Sequence, residues 1–251
     1  MDAGFADRGP GTFRFDPAES AALALARARV LERMAHACHR SGRDASDVQL
    51  VAVSKTVPAE RLRAAVAAGL VDLGENRVQE ALGKTAEVPG AKWHLIGPLQ
   101  SNKARRAVET FAMIQTVDGV ELAARLDRLA AEIRPDRPLP VLLQVNVDGD
   151  PAKAGFTSDG LGTALPEILA LGHLDVRGLM TVGWLGADPE HARPTFVALR
   201  RLADGLRAIE PALGNELSMG MSDDFEVAIE EGASIVRVGR ALFGARPGGG
   251  G

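Results

Sequence analysis

The sequence predicts an α/β protein folded as a single (β/α)8 TIM-type barrel with an extra N-terminal helix. Three observations carry this. Eight short β-rich runs alternate with seven helical stretches after a leading helix, the pattern of parallel β-α-β units. Eight such units in 251 residues match the length of a closed barrel. No Gly-x-Gly-x-x-Gly turn follows Val53 or Leu73, where a doubly wound open sheet would carry one.

The elements follow in order. Residues 1–15 are rich in Gly, Asp, Arg and Phe without a period and read as a tail. Asp16-Pro17 reads as an N-cap followed by proline at the first helical position. The helix then runs to about Ser41, with Leu23, Val30, Leu31 and Met34 on one stripe and Gly42 ending it. Strands are expected at 49–53, 71–73, 93–96, 113–116, 141–147, 174–180, 216–219 and 234–238. The helices between them are expected at 59–68, 77–86, 103–110, 120–133, 162–171, 189–209 and 223–231. No Pro/Gly-rich linker or composition shift divides the chain, so 16–246 read as one domain and 247–251 as a second tail.

Composition excludes several classes. The chain is 46% hydrophobic and 25% charged, as in soluble globular proteins. A net charge of −4 gives no basic field for nucleic acid. The single cysteine, Cys38, allows no intrachain disulfide and no cysteine-based zinc site, and reads as helix packing. No apolar run approaches the roughly 20 residues of a membrane helix, and the N-terminus lacks a signal-peptide pattern. A cytoplasmic protein is the expectation. There is no tyrosine, and the 29 cations are five lysines (Lys55, Lys84, Lys92, Lys103, Lys153) against 24 arginines.

Barrel active sites lie at the C-terminal ends of the strands. In Val51-Ala52-Val53-Ser54-Lys55, alternation puts Val51, Val53 and Lys55 on one face. A lysine there either snorkels to solvent or, held partly out of water, offers an amine to an aldehyde. The second strand ends in Gly74-Glu75-Asn76-Arg77, either a capped turn or a ligand contact. His94 shares a face with Ile96, pointing it inward. Gln144 and Asn146 suggest a polar pocket or a mutual bond. The turn Met219-Gly220-Met221-Ser222-Asp223-Asp224 brings helix N–H groups beside Ser222, as a cap or a phosphate contact. Arg237, on one face with Ile235 and Gly239, would be an inward cation needing a partner. The loops after strands seven and eight are the usual phosphate site of this fold. An amine, a phosphate cradle and a buried arginine together suit a ligand such as pyridoxal 5′-phosphate (PLP). The acidic cluster Glu226, Glu230 and Glu231 reads as a solvated helix face, and no metal is implied.

These motifs resemble the YggS/PROSC family of pyridoxal phosphate homeostasis proteins, which are similar to the barrel of alanine racemase (fold type III). The resemblance runs from the first strand to Arg246. It rests on the three turns above and on Trp93-His94-Leu95-Ile96-Gly97-Pro98-Leu99-Gln100-Ser101-Asn102-Lys103, Gln144-Val145-Asn146, Arg177-Gly178-Leu179-Met180 and Arg237-Val238-Gly239-Arg240-Ala241-Leu242-Phe243-Gly244. It implies that Lys55 carries the PLP aldimine and that Ser222 and the Gly239 backbone hold the phosphate. It further implies that Arg237 meets the pyridine nitrogen and that Asn76 and Met219 line the pocket. Lys153 matches a family lysine linked to secondary ligand handling. Where relatives often carry tyrosine after Glu-Asn, this chain has Arg77.

The implied function is to hold PLP and balance B6 vitamers, with apo PLP-dependent enzymes as recipients, without catalysis and as a monomer. Racemases of this class use a lysine and a tyrosine on opposite faces, and this chain has no tyrosine. Arginine only donates, so the pyridine it meets stays unprotonated and is a poor electron sink. The alternatives are a PLP enzyme such as a weak amino-acid racemase, a Schiff-base aldolase, and a regulatory module that passes ligand on.

Overall fold

The computed structural model describes residues 15–183 and 188–244. The tails expected at 1–15 and 247–251 therefore lie outside the described residues, Phe15 apart. Eight parallel strands close a barrel in chain order: β1 (Gln49–Val53), β2 (Asp72–Glu75), β3 (Lys92–Leu95), β4 (Met113–Val117), β5 (Leu139–Gln144), β6 (Leu174–Met180), β7 (Glu216–Met221) and β8 (Ile235–Val238). Closure is the β1–β8 pairing, in which Val51 lies opposite Arg237 and Ala52 opposite Val238. The helices are α1 (Pro17–Arg40), α2 (Ala59–Ala67), α3 (Val78–Thr85), α4 (Ala104–Thr110), α5 (Val120–Ile133), α6 (Ser158–Leu169), α7 (Arg193–Ile209), α8 (Phe225–Glu230) and α9 (Arg240–Phe243).

Strand alternation sorts the side chains into two layers. One set faces the helices and forms the main core, with Ala52, Leu73, Leu95, Leu143, Leu179, Met219 and Val236 in it. The other faces the barrel axis, where Val51, Met113, Leu142, Met180 and Ile235 form a small apolar plug. Polar side chains share the interior with this plug, among them His94, Gln115, Ser218 and Arg237.

Helix α1 starts as expected, with Asp16 Oδ1 accepting the Ala18 amide at 2.8 Å and proline in the first turn. It buries Leu23, Ala26, Val30, Met34, Ala37 and Cys38. It packs against α2, α8 and α9. The eighth unit ends in α9, a single turn, so α1 covers the β8–β1 seam that a full eighth helix would cover. The acidic cluster of α8 is not the solvated face the sequence suggested. Glu226 pairs with Arg33 at 2.7 Å, Glu230 with Arg40 and Arg193, and Glu231 with Arg193 and Arg200. Period alone cannot show this, because the arginines come from α1 and α7.

Several boundaries moved, two of them for clear local reasons. The strand expected at 141–147 ends at Gln144; beyond it Val145 still donates to the Met180 carbonyl at 2.8 Å but forms an isolated bridge to Phe156 as the chain turns into the loop. Helix α6 starts four residues before the expected Gly162, because Thr157 caps it by accepting the Gly160 amide at 3.1 Å.

Candidate functional site

Lys55 lies two residues past the end of β1, at the C-terminal mouth. It lines a cavity of about 200 Å³ together with Val53, Thr56, Arg61, Gly239 and Arg240. The two halves of the sequence-derived site, the amine and the β8 turn, thus face one space. The β1–β8 pairing is what joins them.

The turns after β7 and β8 are tied to each other. Ser222 Oγ accepts the Gly239 amide at 3.0 Å. Its own hydroxyl hydrogen is therefore left to donate to something else. Gly220 has φ +90, and a Cβ there would sit 2.5 Å from Ala228 Cβ, so the turn needs glycine on two counts. Asp224 closes the turn, its Oδ1 accepting the Met221 amide at 2.5 Å. Burial holds the Asp224 carboxyl above the usual carboxylate range.

Below these turns, Arg237 is 3% exposed. Nη1 donates to Ser218 Oγ at 2.6 Å and Nη2 to the Thr181 carbonyl at 2.8 Å. Burial pushes its pKa down to about 10, so the group is still a cation at neutral pH. Among the described residues, no carboxylate bonds it. A buried guanidinium hydrogen-bonded to neutral acceptors is unfavourable by itself.

Other expected residues lie elsewhere. Asn76 and Arg77 line a separate polar groove of about 450 Å³ with Gln79, Pro98, Gln100 and Lys103. Asn76 borders the mouth through its backbone, on which Gly97 packs so closely that a Cβ would lie 2.4 Å from the Asn76 carbonyl. Met219 is a correction. Its side chain is fully buried in the outer layer against the helices, because Ser218 takes the inward position next to it. Gln144 and Asn146 do not bond each other. They pin the loop after β5, donating to the carbonyls of Ala154, Asp150 and Lys153. Lys153 Nζ donates to Asp148 at 2.5 Å and to the Val182 carbonyl at 3.2 Å.

Sequence reasoning missed the support of Lys55. Thr56 has φ +66, a left-handed conformation that a β-branched residue rarely adopts. It is held there by Glu80 Oε1, which accepts the Thr56 amide at 2.5 Å. Lys84 Nζ donates to Glu80 at 2.9 Å, to the fully buried Glu75 at 2.7 Å and to the Ser54 carbonyl at 3.0 Å. Ser54 Oγ also donates to Glu75 at 2.9 Å. The residues before and after Lys55 are thus both clamped by one buried ion cluster. Burial still raises the Glu75 carboxyl above its ordinary value, against the pull of Lys84. The Glu80/Lys84 spacing of i, i+4 was the available signal.

Residues 30–247 match the family model described as alanine racemase, N-terminal domain. A Pseudomonas aeruginosa protein named pyridoxal phosphate homeostasis protein is 46% identical over 222 residues, covering 87% of this chain and 94% of its own. An Aquifex aeolicus protein of the same name is 42% identical over 220 residues, covering 87% of this chain and 96% of its own. The chain belongs to the pyridoxal phosphate homeostasis protein family. Among solved structures, PipY of Synechococcus elongatus with PLP bound is similar at TM-score 0.75 and 45% identity, covering 86% of this chain and all of that one. This family member has the closed barrel with helices between strands that the sequence predicted. Among its described residues, no helix is long and apolar enough to cross a membrane. Its mouth fits PLP in chemistry: an amine and a hydroxyl donor at the rim, and a cation below that bonds no carboxylate among the described residues.

Proposed function

We propose that this protein holds PLP at the barrel mouth through Lys55 and acts as a carrier in B6 homeostasis rather than as a turnover enzyme. The observation that carries this is the shared cavity of Lys55 and Gly239 above the buried Arg237. The bound group supplies an aldehyde carbon, which condenses with an uncharged amine with loss of water. Lys55 provides the amine, and the clamped turn at Thr56 fixes its stem. The Ser222 hydroxyl and the Gly239 turn face the phosphate. Arg237 donates to the ring nitrogen and cannot give it a proton at neutral pH. Asn76 borders the ring side. This arrangement binds firmly and leaves carbanion chemistry without its electron sink. Apo-enzymes of the same cofactor are the recipients, other B6 vitamers compete for the site, and the carrier works as a cytoplasmic monomer. The relatives, too, are named for homeostasis of the cofactor rather than for a reaction.

The test is a PLP titration followed by absorbance, then borohydride reduction and peptide mapping. The expected result is a yellow complex with the reduced label on Lys55 alone. No complex, or a label spread over Lys92 and Lys103, overturns the reading. Lys55-dependent turnover on an amino-acid panel, with exchange of the α-proton, would move the assignment to the weak racemase.

A further inference from the structure

The interior of this barrel is not filled in the usual way. Barrels of this fold stack layers of branched apolar side chains along the axis. Here a row of polar side chains crosses it. Arg237 Nη1 meets Ser218 Oγ at 2.6 Å, Ser218 Oγ meets Gln115 Oε1 at 2.7 Å, and Gln115 Nε2 meets His94 Nδ1 at 3.2 Å. His94 Nε2 then meets Asp72 Oδ1 at 3.2 Å. Arg237, Ser218, Gln115 and His94 are all buried. The row takes one residue from each of β8, β7, β4, β3 and β2, and the Ser218–Gln115 bond spans the barrel between strands that do not pair.

We propose that Ser218, Gln115 and His94 are positioning residues that hold Arg237 in its ligand-facing pose through a hydrogen-bond chain of one fixed direction, ending on Asp72. The proposal rests on the PLP reading above. The direction follows from donor and acceptor inventory. Arginine has no acceptor, so Ser218 Oγ must accept from it. The serine hydrogen then goes to Gln115, which presents its carbonyl oxygen. That orientation turns the Gln115 NH2 group toward His94, so Nδ1 is the bare nitrogen. The ring proton therefore sits on Nε2 and is donated to Asp72, an acceptor.

Reversing the row is unfavourable at both ends. If Nδ1 carried a proton, Gln115 would have to turn over. Two donors, from Arg237 and Gln115, would then converge on Ser218 Oγ, and its hydrogen would lose its present acceptor. A neutral ring would also turn a bare Nε2 onto the Asp72 carboxylate. A buried row of this kind fixes one pose only when every member is satisfied. It leaves three of the five arginine N–H groups for other partners. Asp72 is suited to the end of the row. Burial raises its carboxyl, but hydrogen bonds from His94 and Gln49 and the charge of Lys92 bring it below its ordinary value. Glu216 of β7 is a further acid near His94.

Two measurements test this. In ligand-free protein, ¹⁵N NMR of His94 should show the Nε2–H tautomer, with Nδ1 unprotonated. A proton on Nδ1 at neutral pH overturns the chain. In PLP titrations, His94→Leu and Gln115→Leu should each weaken binding by about tenfold and shift the absorption band in the same direction as Arg237→Met. Neither should add to Arg237→Met when combined with it. His94→Asn keeps an oxygen where Nδ1 stood and should recover most of the affinity. Wild-type affinity and spectrum in folded His94→Asn, His94→Leu and Gln115→Leu proteins would overturn the proposal. If wild-type protein fails to form a complex on Lys55, the PLP reading falls, and the tautomer measurement then decides the chain alone.

Discussion

Lys84 has three partners around the Lys55 turn, and one of them, Glu75, has no exposure at all. Removing the ammonium leaves a buried carboxylate uncompensated. Lys84→Met should therefore destabilise the protein by about 3 kcal/mol, read from urea midpoints. The double change Lys84→Met with Glu75→Gln should recover much of that loss, because no buried charge is then left alone. PLP affinity should fall in Lys84→Met although Lys55 is intact, because the turn at Thr56 loses its fixing. Thr56 itself stores strain at φ +66. Asparagine tolerates that conformation, so Thr56→Asn should stabilise by about 0.5–1 kcal/mol, seen as a higher melting temperature.

At the scale of elements, α1 and the β7–α8 turn are held by different forces. Arg33 grips Glu226 with two nitrogens and lies 4.5 Å from the Phe225 ring centre, yet its side chain is 42% exposed. Such pairs contribute at most about 1 kcal/mol, so Arg33→Met should be nearly neutral. Met34, one residue on, is fully packed beneath the helix. Met34→Ala should cost about 2–4 kcal/mol and loosen α1, a contrast that hydrogen exchange across 17–40 would show. The turn after β7 depends on backbone. Gly220→Ala meets both a positive φ and Ala228, and should cost about 2 kcal/mol or more, with weakened PLP binding. Equal stability of that variant would mean the turn has room that the structure does not show.

For the whole molecule, buried carboxyls set the pH dependence. Burial raises Glu75, Glu216, Asp224 and Asp118 above their ordinary values of 4.5 and 3.8. The folded state then binds more protons than the unfolded chain just above those values. Their contribution is fully present below the ordinary values and is lost as pH rises through the folded ones. Asp72, Glu80 and Glu230 are shifted down, so their contribution is present above the ordinary values and lost as pH falls. Stability should peak on the acid side of neutrality. Glu216→Gln removes one raised group and should flatten the decline toward neutral pH in urea titrations. An unchanged slope would show that Glu216 titrates as if exposed.

Much of this was legible in the chain. Period-two alternation put Val51 and Arg237 inside the barrel, and put the amine and the two turns at one end, because strand geometry is local and repeats every second residue. What stayed hidden depended on partners far apart in sequence. Nothing near His94 indicated that it bonds Asp72 on one side and Gln115 on the other. Nothing near Met219 ruled it out of the pocket until Ser218 was seen facing Arg237. Gln144 and Asn146 were visible as polar residues on one face of an apolar run, but their acceptors are loop carbonyls with no sequence signature. The sequence by itself determined the barrel, its inward faces and the residues at its mouth, since each follows from spacing along one strand or turn. Only the tertiary structure decided the clamp around Lys55, the place of α1 over the seam and the row behind Arg237. Closure of the sheet brings those groups together, and hydrogen-bond direction is settled only when every donor has met its acceptor.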